Sequence, residues 1–238
     1  MSPGQKRYIP LESNPEVFTD LIHNLGIKTL KFQDVYSIED EGLMALVERP
    51  TYALVLVSPV GADYEKYTKE NGPPPYTGSG EDEPVIWYRQ TIHNACGLYG
   101  ILHALSNGDA RAQIAADSPI SALVSKCVSL GPEERAIALE ESTVLEDAHK
   151  GAAQQGSTAP PALEDEVDYH YVAFVKGKDG YLYEMDGNKN GPINKGIKLS
   201  ADEDLFGPGG ISLVKEFIER EQGGNPNFSL MALVPDLD

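Results

Sequence analysis

The stretch from Tyr169 to Asp186, YHYVAFVKGKDGYLYEMD, decides the fold class. Two runs rich in Tyr, Val and Phe flank Gly177-Lys178-Asp179-Gly180, and a β-rich pair around a Gly-bounded turn is the pattern of a hairpin. It predicts strands over 169–176 and 181–186. With the turn centred on Lys178, Val175 faces Tyr181 and His170 faces Asp186. Side chains opposed in this way stand about 5 Å apart on one face of the sheet. A carboxylate there accepts the proton of one imidazole nitrogen, fixes the tautomer and leaves the other nitrogen for a neighbouring group. A structure with the two side chains on opposite faces would remove this reading.

Cys96 is the group that nitrogen could serve. It sits in Gln90-Thr91-Ile92-His93-Asn94-Ala95-Cys96-Gly97, where Leu98, Ile101, Leu102 and Leu105 begin a helical repeat. Asn94 reads as the helix cap, which puts Cys96 in the first turn. Unpaired N–H groups and the helix dipole favour negative charge there, and the thiolate rather than the thiol is the nucleophile. The bland alternative is a buried packing cysteine, the commoner fate of a lone Cys. Cys127, beside Val124 and Val128 in an apolar helix, fits that alternative. Gln90 suits a side-chain donor to an oxyanion, although on spacing alone it is as readily an ordinary exposed glutamine. Of the other histidines, His23 and His103 read as packing or surface residues and His149 as solvated beside a loop. His93 is near Cys96 but lacks an obvious carboxylate. The Cys and His positions match no zinc pattern, and the chemistry calls for neither metal nor organic cofactor.

The rest of the chain supports a fold that is helical early and β-rich late. Asn14-Pro15-Glu16 opens a helix whose stripe is Val17, Phe18, Leu21, Ile22 and Leu25. Lys31–Tyr36 and Tyr52–Val57 read as strands, the second apolar enough to be central. Ser37 is expected to cap a short helix to about Val47. Further helices are expected near 119–130, 133–141, 143–149 and 210–221, and a last strand over 228–234. Gly/Pro-rich loops fall at 71–84 and about 150–166. This arrangement predicts an α+β domain with a largely antiparallel sheet.

The chain has 238 residues, 41% apolar and 24% charged, with a net charge of −18. That size and composition suit one soluble domain. The acidic surface argues against nucleic acid and anionic membranes and would draw in a cationic partner. No apolar run spans a bilayer. With two cysteines and no visible secretory signal, a reducing compartment is expected, cytoplasmic with nuclear access.

These motifs together resemble the ubiquitin C-terminal hydrolases, a family of papain-like cysteine proteases. Gln90–Gly97 is similar to the nucleophile motif, Val167-Asp168-Tyr169-His170-Tyr171-Val172-Ala173 to the histidine motif, and Leu182-Tyr183-Glu184-Met185-Asp186-Gly187 to the aspartate motif, followed by Gly191-Pro192-Ile193. Pro10–Val17 and Pro132–Ala136 resemble the family as well. The likeness covers nearly the whole chain and is closest to small single-domain members, so it implies one catalytic domain over 1–238. It implies a mostly antiparallel six-stranded sheet flanked by helices on both sides, a papain-like core and a knotted path. Cys96 would be the nucleophile, His170 the general base, Asp186 its orienter and Gln90 the oxyanion donor. The 150–166 loop would arch over the site. Glu12 and Asp34 match acidic positions that meet ubiquitin, the implied partner, beside which a related ubiquitin-like modifier stays open. A monomer is expected. A ubiquitin-binding module with little catalysis and a different Cys-His-Asp acyltransferase remain as alternatives at this stage.

Overall fold

The computed structural model describes residues 6–59, 72–157, 169–221 and 227–237. Six strands, β1 (Leu30–Asp34), β2 (Ala53–Pro59), β3 (Tyr169–Lys176), β4 (Tyr181–Met185), β5 (Ile193–Lys198) and β6 (Ser229–Pro235), form one sheet in the order β1-β6-β2-β3-β4-β5. Every neighbouring pair is antiparallel. The expected α+β class with helices on both faces is the architecture found.

The alternation of β2 explains the two layers. Ala53, Val55 and Val57 point into one core, and Leu54 and Leu56 into the other. A strand buried on both faces needs the uninterrupted apolar run that Ala53–Val57 supplies. On the first face pack α1 (Pro15–Asn24), α3 (Cys96–Ser106), α4 (Pro119–Val128), α5 (Pro132–Glu140) and α6 (Thr143–Ala153). On the second lie residues around α2 (Glu41–Met44) and the apolar stripe of α7 (Pro208–Glu221), including Val214 and Phe217.

Local signals set these elements. Asn14 caps α1 by accepting from the Glu16 N–H at 2.9 Å, with Pro15 at the first helical position. The apolar stripe of α1 then lays Phe18 edge-on to Phe32 of β1, ring centres 5.2 Å apart. Elsewhere the ends move. The cap of α2 is Asp40, not Ser37, whose hydroxyl instead accepts from the Glu39 and Asp40 N–H groups. The last turn of α6 runs to Ala153, four residues past the expected boundary, because Ala148, Ala152 and Ala153 still find core to cover. Residues 158–166 of the expected 150–166 loop, the two residues after it, and residue 71 of the 71–84 loop lie outside the described residues.

The hairpin register also differs from expectation. Lys176 pairs with Leu182 and Ala173 with Met185. The Gly177 N–H donates to the Tyr181 carbonyl at 2.8 Å, so the turn centres on Asp179, with Gly180 at φ +82°. The Asp179 carboxylate accepts from the Tyr181 N–H and the Tyr183 hydroxyl, which holds the turn one position later than glycine spacing suggested. Counted on from Met185, the last paired residue of the strand, this register sets Asp186 diagonal to His170 rather than opposite it.

The 72–84 segment is irregular but anchored. Glu83 forms a buried ion pair with Arg135 of α5, and the Tyr76 hydroxyl donates to the same carboxylate at 2.8 Å. Arg135 also donates to the Cys127 carbonyl at 2.7 Å. Removing one partner of a buried pair leaves the other charge uncompensated. Arg135→Ala is therefore expected to lower unfolding free energy in urea by about 3–5 kcal/mol. Arg89→Ala, which breaks an exposed pair with Glu133, should change it by less than about 1 kcal/mol.

Candidate active site

Cys96 is the first residue of α3, and this helix is buried along the rest of its length. Its N-terminus lacks the expected side-chain cap. Ala95 occupies the cap position, and Asn94 stands one residue earlier with φ +61°. Asn is among the few side chains that adopt this left-handed conformation at modest cost. The backbone reverses there and presents Cys96 with the unpaired N–H groups of the first turn. The preceding segment is pinned by the N-terminal chain: the His93 N–H donates to the Lys6 carbonyl at 2.9 Å and the Tyr8 N–H to the His93 carbonyl at 3.0 Å. His93 is thus part of a backbone anchor. Gly97 has a packing reason, since a Cβ there would lie 3.2 Å from Leu11 and 3.4 Å from Phe18.

His170 begins the buried part of β3. Its Nε2 lies 2.7 Å from Asp186 Oδ1, and both side chains are essentially inaccessible. The Cys96 sulfur is within hydrogen-bonding reach of the same imidazole. With Nε2 committed to the carboxylate, Nδ1 is the nitrogen that serves the thiol. Burial works against a charge on His170. The Asp186 carboxylate, by charge and by hydrogen bond, and the Cys96 sulfur outweigh it, and the imidazole pKa is pushed up to about 10. His170 thus favours a positive charge within reach of the Cys96 sulfur at the start of a helix.

Asp186 is held from several directions. Its carbonyl accepts from the indole N–H of Trp87 at 3.0 Å, and its carboxylate accepts from the Asn188 N–H at 2.9 Å. Lys189, next in the turn, forms a buried ion pair with Glu184 of β4, which also pairs with Arg220 of α7 at 3.2 Å. Burial would push the Glu184 carboxyl up, but the Lys189 and Arg220 charges outweigh it and hold it low. Gly187 permits the next contact. The Gln90 N–H donates to the Gly187 carbonyl at 2.8 Å, and a Cβ on Gly187 would come within 2.8 Å of Gln90 Cβ. Gln90 is thereby fixed beside the aspartate turn, with its amide nitrogen donating to the Ile92 carbonyl at 3.2 Å.

Gln90 and Cys96, His170, and Asp186 therefore come from three separate stretches to one end of the sheet. A cavity of about 380 Å³ opens onto Cys96, with Leu11, Tyr171 and Phe228 in its walls. A larger one, about 540 Å³, runs along Pro73–Pro84 and Pro192 and contains none of these four residues. Glu12 Oε1 accepts from the Ser157 hydroxyl at 2.8 Å. Asp34 lies at the end of β1, and burial without a cationic partner among the described residues raises its carboxyl pKa. His149, expected to be solvated, is buried. Its Nε2 donates to the Ile9 carbonyl at 2.7 Å, and burial pushes its pKa down to about 4. Cys127 is buried in the core, where burial pushes its thiol up to about 11. Trp87 and Asn188 were not singled out in the sequence, and Gly187 entered only as the last residue of the motif around Asp186. Only its short spacing from Asp186 pointed towards Asn188.

Comparison with known proteins bears on the family and the fold. Residues 8–219 match the family described as ubiquitin carboxyl-terminal hydrolase, family 1. A ubiquitin carboxyl-terminal hydrolase of Aplysia californica is 37% identical over 219 residues, covering 92% of this chain and 98% of its own. The isozyme L1 of Equus caballus is 33% identical over 225 residues, covering 94% and 96%. Among solved structures, the catalytic domain of Trichinella spiralis UCH37 bound to ubiquitin vinyl methyl ester superposes with a TM-score of 0.73 at 20% identity, covering 96% of this chain and 95% of that one; at that identity the likeness speaks to the fold. The chain belongs to the ubiquitin carboxyl-terminal hydrolase family.

Proposed function

We propose that this chain is a cysteine-dependent deubiquitinating hydrolase that removes small amide, ester or peptide adducts from the C-terminal glycine of ubiquitin. The observation that carries the reading is the single constellation in which Asp186 binds Nε2 of His170 while the Cys96 sulfur lies within reach of the same imidazole. The Cys96 thiolate attacks the glycine carbonyl carbon and forms an S–C bond. The negative charge that gathers on the carbonyl oxygen is met by the Cys96 backbone N–H and the Gln90 amide. The C–N or C–O bond to the adduct then breaks, and the leaving group takes the Nδ1 proton of His170. Water next attacks the thioester, gives its proton to Nδ1 and releases ubiquitin, which restores the thiolate–imidazolium pair. Asp186 keeps the imidazole oriented throughout.

Charge fits the partner. A surface carrying −18 would steer a basic protein towards it, and the half-buried Asp34 carboxylate and the Glu12 carboxylate are the acids we assign to that contact. A modifier with the same tail chemistry would enter by the same route. The reading includes a monomer in a reducing compartment, cytoplasmic with nuclear access, where Cys96 stays unoxidised. A non-catalytic ubiquitin-binding role would not require a buried Asp186–His170 pair aimed at a thiol. A different acyltransferase would require a different substrate groove and tail recognition.

A ubiquitin carrying a C-terminal electrophile should label the protein covalently at Cys96, seen as one added mass. Cys96→Ala should abolish release of a fluorogenic amide from ubiquitin while calorimetry still detects ubiquitin binding; unchanged turnover would reject the assignment. Gln90→Ala should lower kcat by about 10²–10³ if its amide stabilises the oxyanion.

The rate should also report the His170 pairing. The imidazolium that protonates the leaving group persists until pH passes its pKa of about 10, so the alkaline limb of kcat/KM lies near that value. Asp186→Asn removes the charge that favours the imidazolium. The limb should then move to lower pH by roughly one to three units, as a pH–rate profile would show.

A further inference from the structure

We infer that Asn188 is a positioning residue for His170, and that it holds the imidazole in place while Cys96 is acylated. This rests on the assignment of Cys96 as nucleophile and adds a residue to that site.

Three observations carry it. The chain leaves β4 at Met185 and turns at once, the Lys189 N–H donating to the Asp186 carbonyl at 3.3 Å, so Asn188 sits within the turn that carries Asp186. The backbone N–H of Asn188 donates to the same Asp186 oxygen that binds His170 Nε2, at 2.9 Å, so one carboxylate fixes both residues. The Asn188 side-chain amide then reaches His170 Nδ1 at 3.5 Å. That nitrogen trades its proton with Cys96, and Asp186 and Cys96 are the titratable groups that meet this imidazole.

A primary amide suits this place because it carries a donor and an acceptor on one planar group. When Nδ1 is a bare lone pair, the amide N–H can donate to it. When Nδ1 is protonated, rotation of the amide presents its oxygen. A second partner matters most in the thioester. There the sulfur is bonded to the acyl carbon and no longer has a proton or a full negative charge to offer Nδ1. The imidazole must nevertheless stay in line to take a proton from the attacking water. Asn188 is exposed, so its contact competes with solvent and is worth about one ordinary hydrogen bond.

The test separates the two halves of the reaction. Asn188→Ala keeps the backbone N–H that binds Asp186 and removes only the amide. With a ubiquitin ester of a good leaving group, rapid quenching and mass spectrometry follow the Cys96 thioester directly. The thioester should form at a rate within about twofold of the unaltered protein and decay about three- to tenfold more slowly, the size of one hydrogen bond. Asn188→Asp, which always offers an acceptor and adds a negative charge, favours the protonated imidazole and should move the acid limb of the decay rate, below which Nδ1 cannot take the proton of water, to higher pH. Decay at the unaltered rate in Asn188→Ala, equal slowing of formation and decay, or an unmoved limb in Asn188→Asp would each overturn the inference. If the unaltered protein forms no thioester at Cys96, the parent assignment fails instead, and the two failures are distinguishable.

Discussion

The close packing of the Cys96 helix against the middle of the sheet is the constraint on which the site depends. Helix α3 is buried at every position after Cys96 itself, so its place is dictated by fit. Gly97 lets Leu11 and Phe18 approach its first turn. Phe18 in turn packs on Phe32 of β1 and on Tyr171 of β3, at 5.2 and 5.3 Å between ring centres. Interiors are packed at crystal-like density and transmit small displacements. A shift of this helix would therefore carry the sulfur away from an imidazole fixed by the sheet. The positions of thiol and base are set by one shared body of aromatic and aliphatic contacts, and hydrogen bonds refine the result.

Much of this was legible in the chain, for identifiable reasons. The Ala53–Val57 run announced a strand buried on both sides because no polar residue interrupts it. The Cys96 position was readable because the start of a helix, beside Asn and Gly, favours an ionisable thiol over the commoner packing cysteine. The His170–Asp186 pair was also readable, since glycines bracket its hairpin. Its register was not: the Asp179 carboxylate selects the turn centre through hydrogen bonds that spacing cannot reveal. The pairing survived because a shift of two residues preserves which face a side chain occupies. The diagonal gap is then closed by the side chains themselves.

Other features depended on distant partners and left no local trace. The burial of His149 follows from Ile9, on a segment 140 positions away. Trp87 supports Asp186 across 99 positions. Asn94 was read as a cap because Asn often is one; in the fold it serves as a left-handed corner, a role its small amide side chain equally permits. The sequence gives the same letter for both uses, and only the path of the chain distinguishes them.

The ion cluster around Glu184 ties the two faces of the molecule together. Lys189 follows Asp186 by three residues, and its buried partner Glu184 is shared with Arg220 near the end of α7, which covers the opposite face of the sheet. The turn that carries Asp186 and the far-side helix are thus anchored to one charge. Fraying of that helix would strip counter-charges from Glu184 and slacken the turn that aims Asp186. Heat or denaturant acting on the back of the protein would then silence the front before the sheet itself came apart.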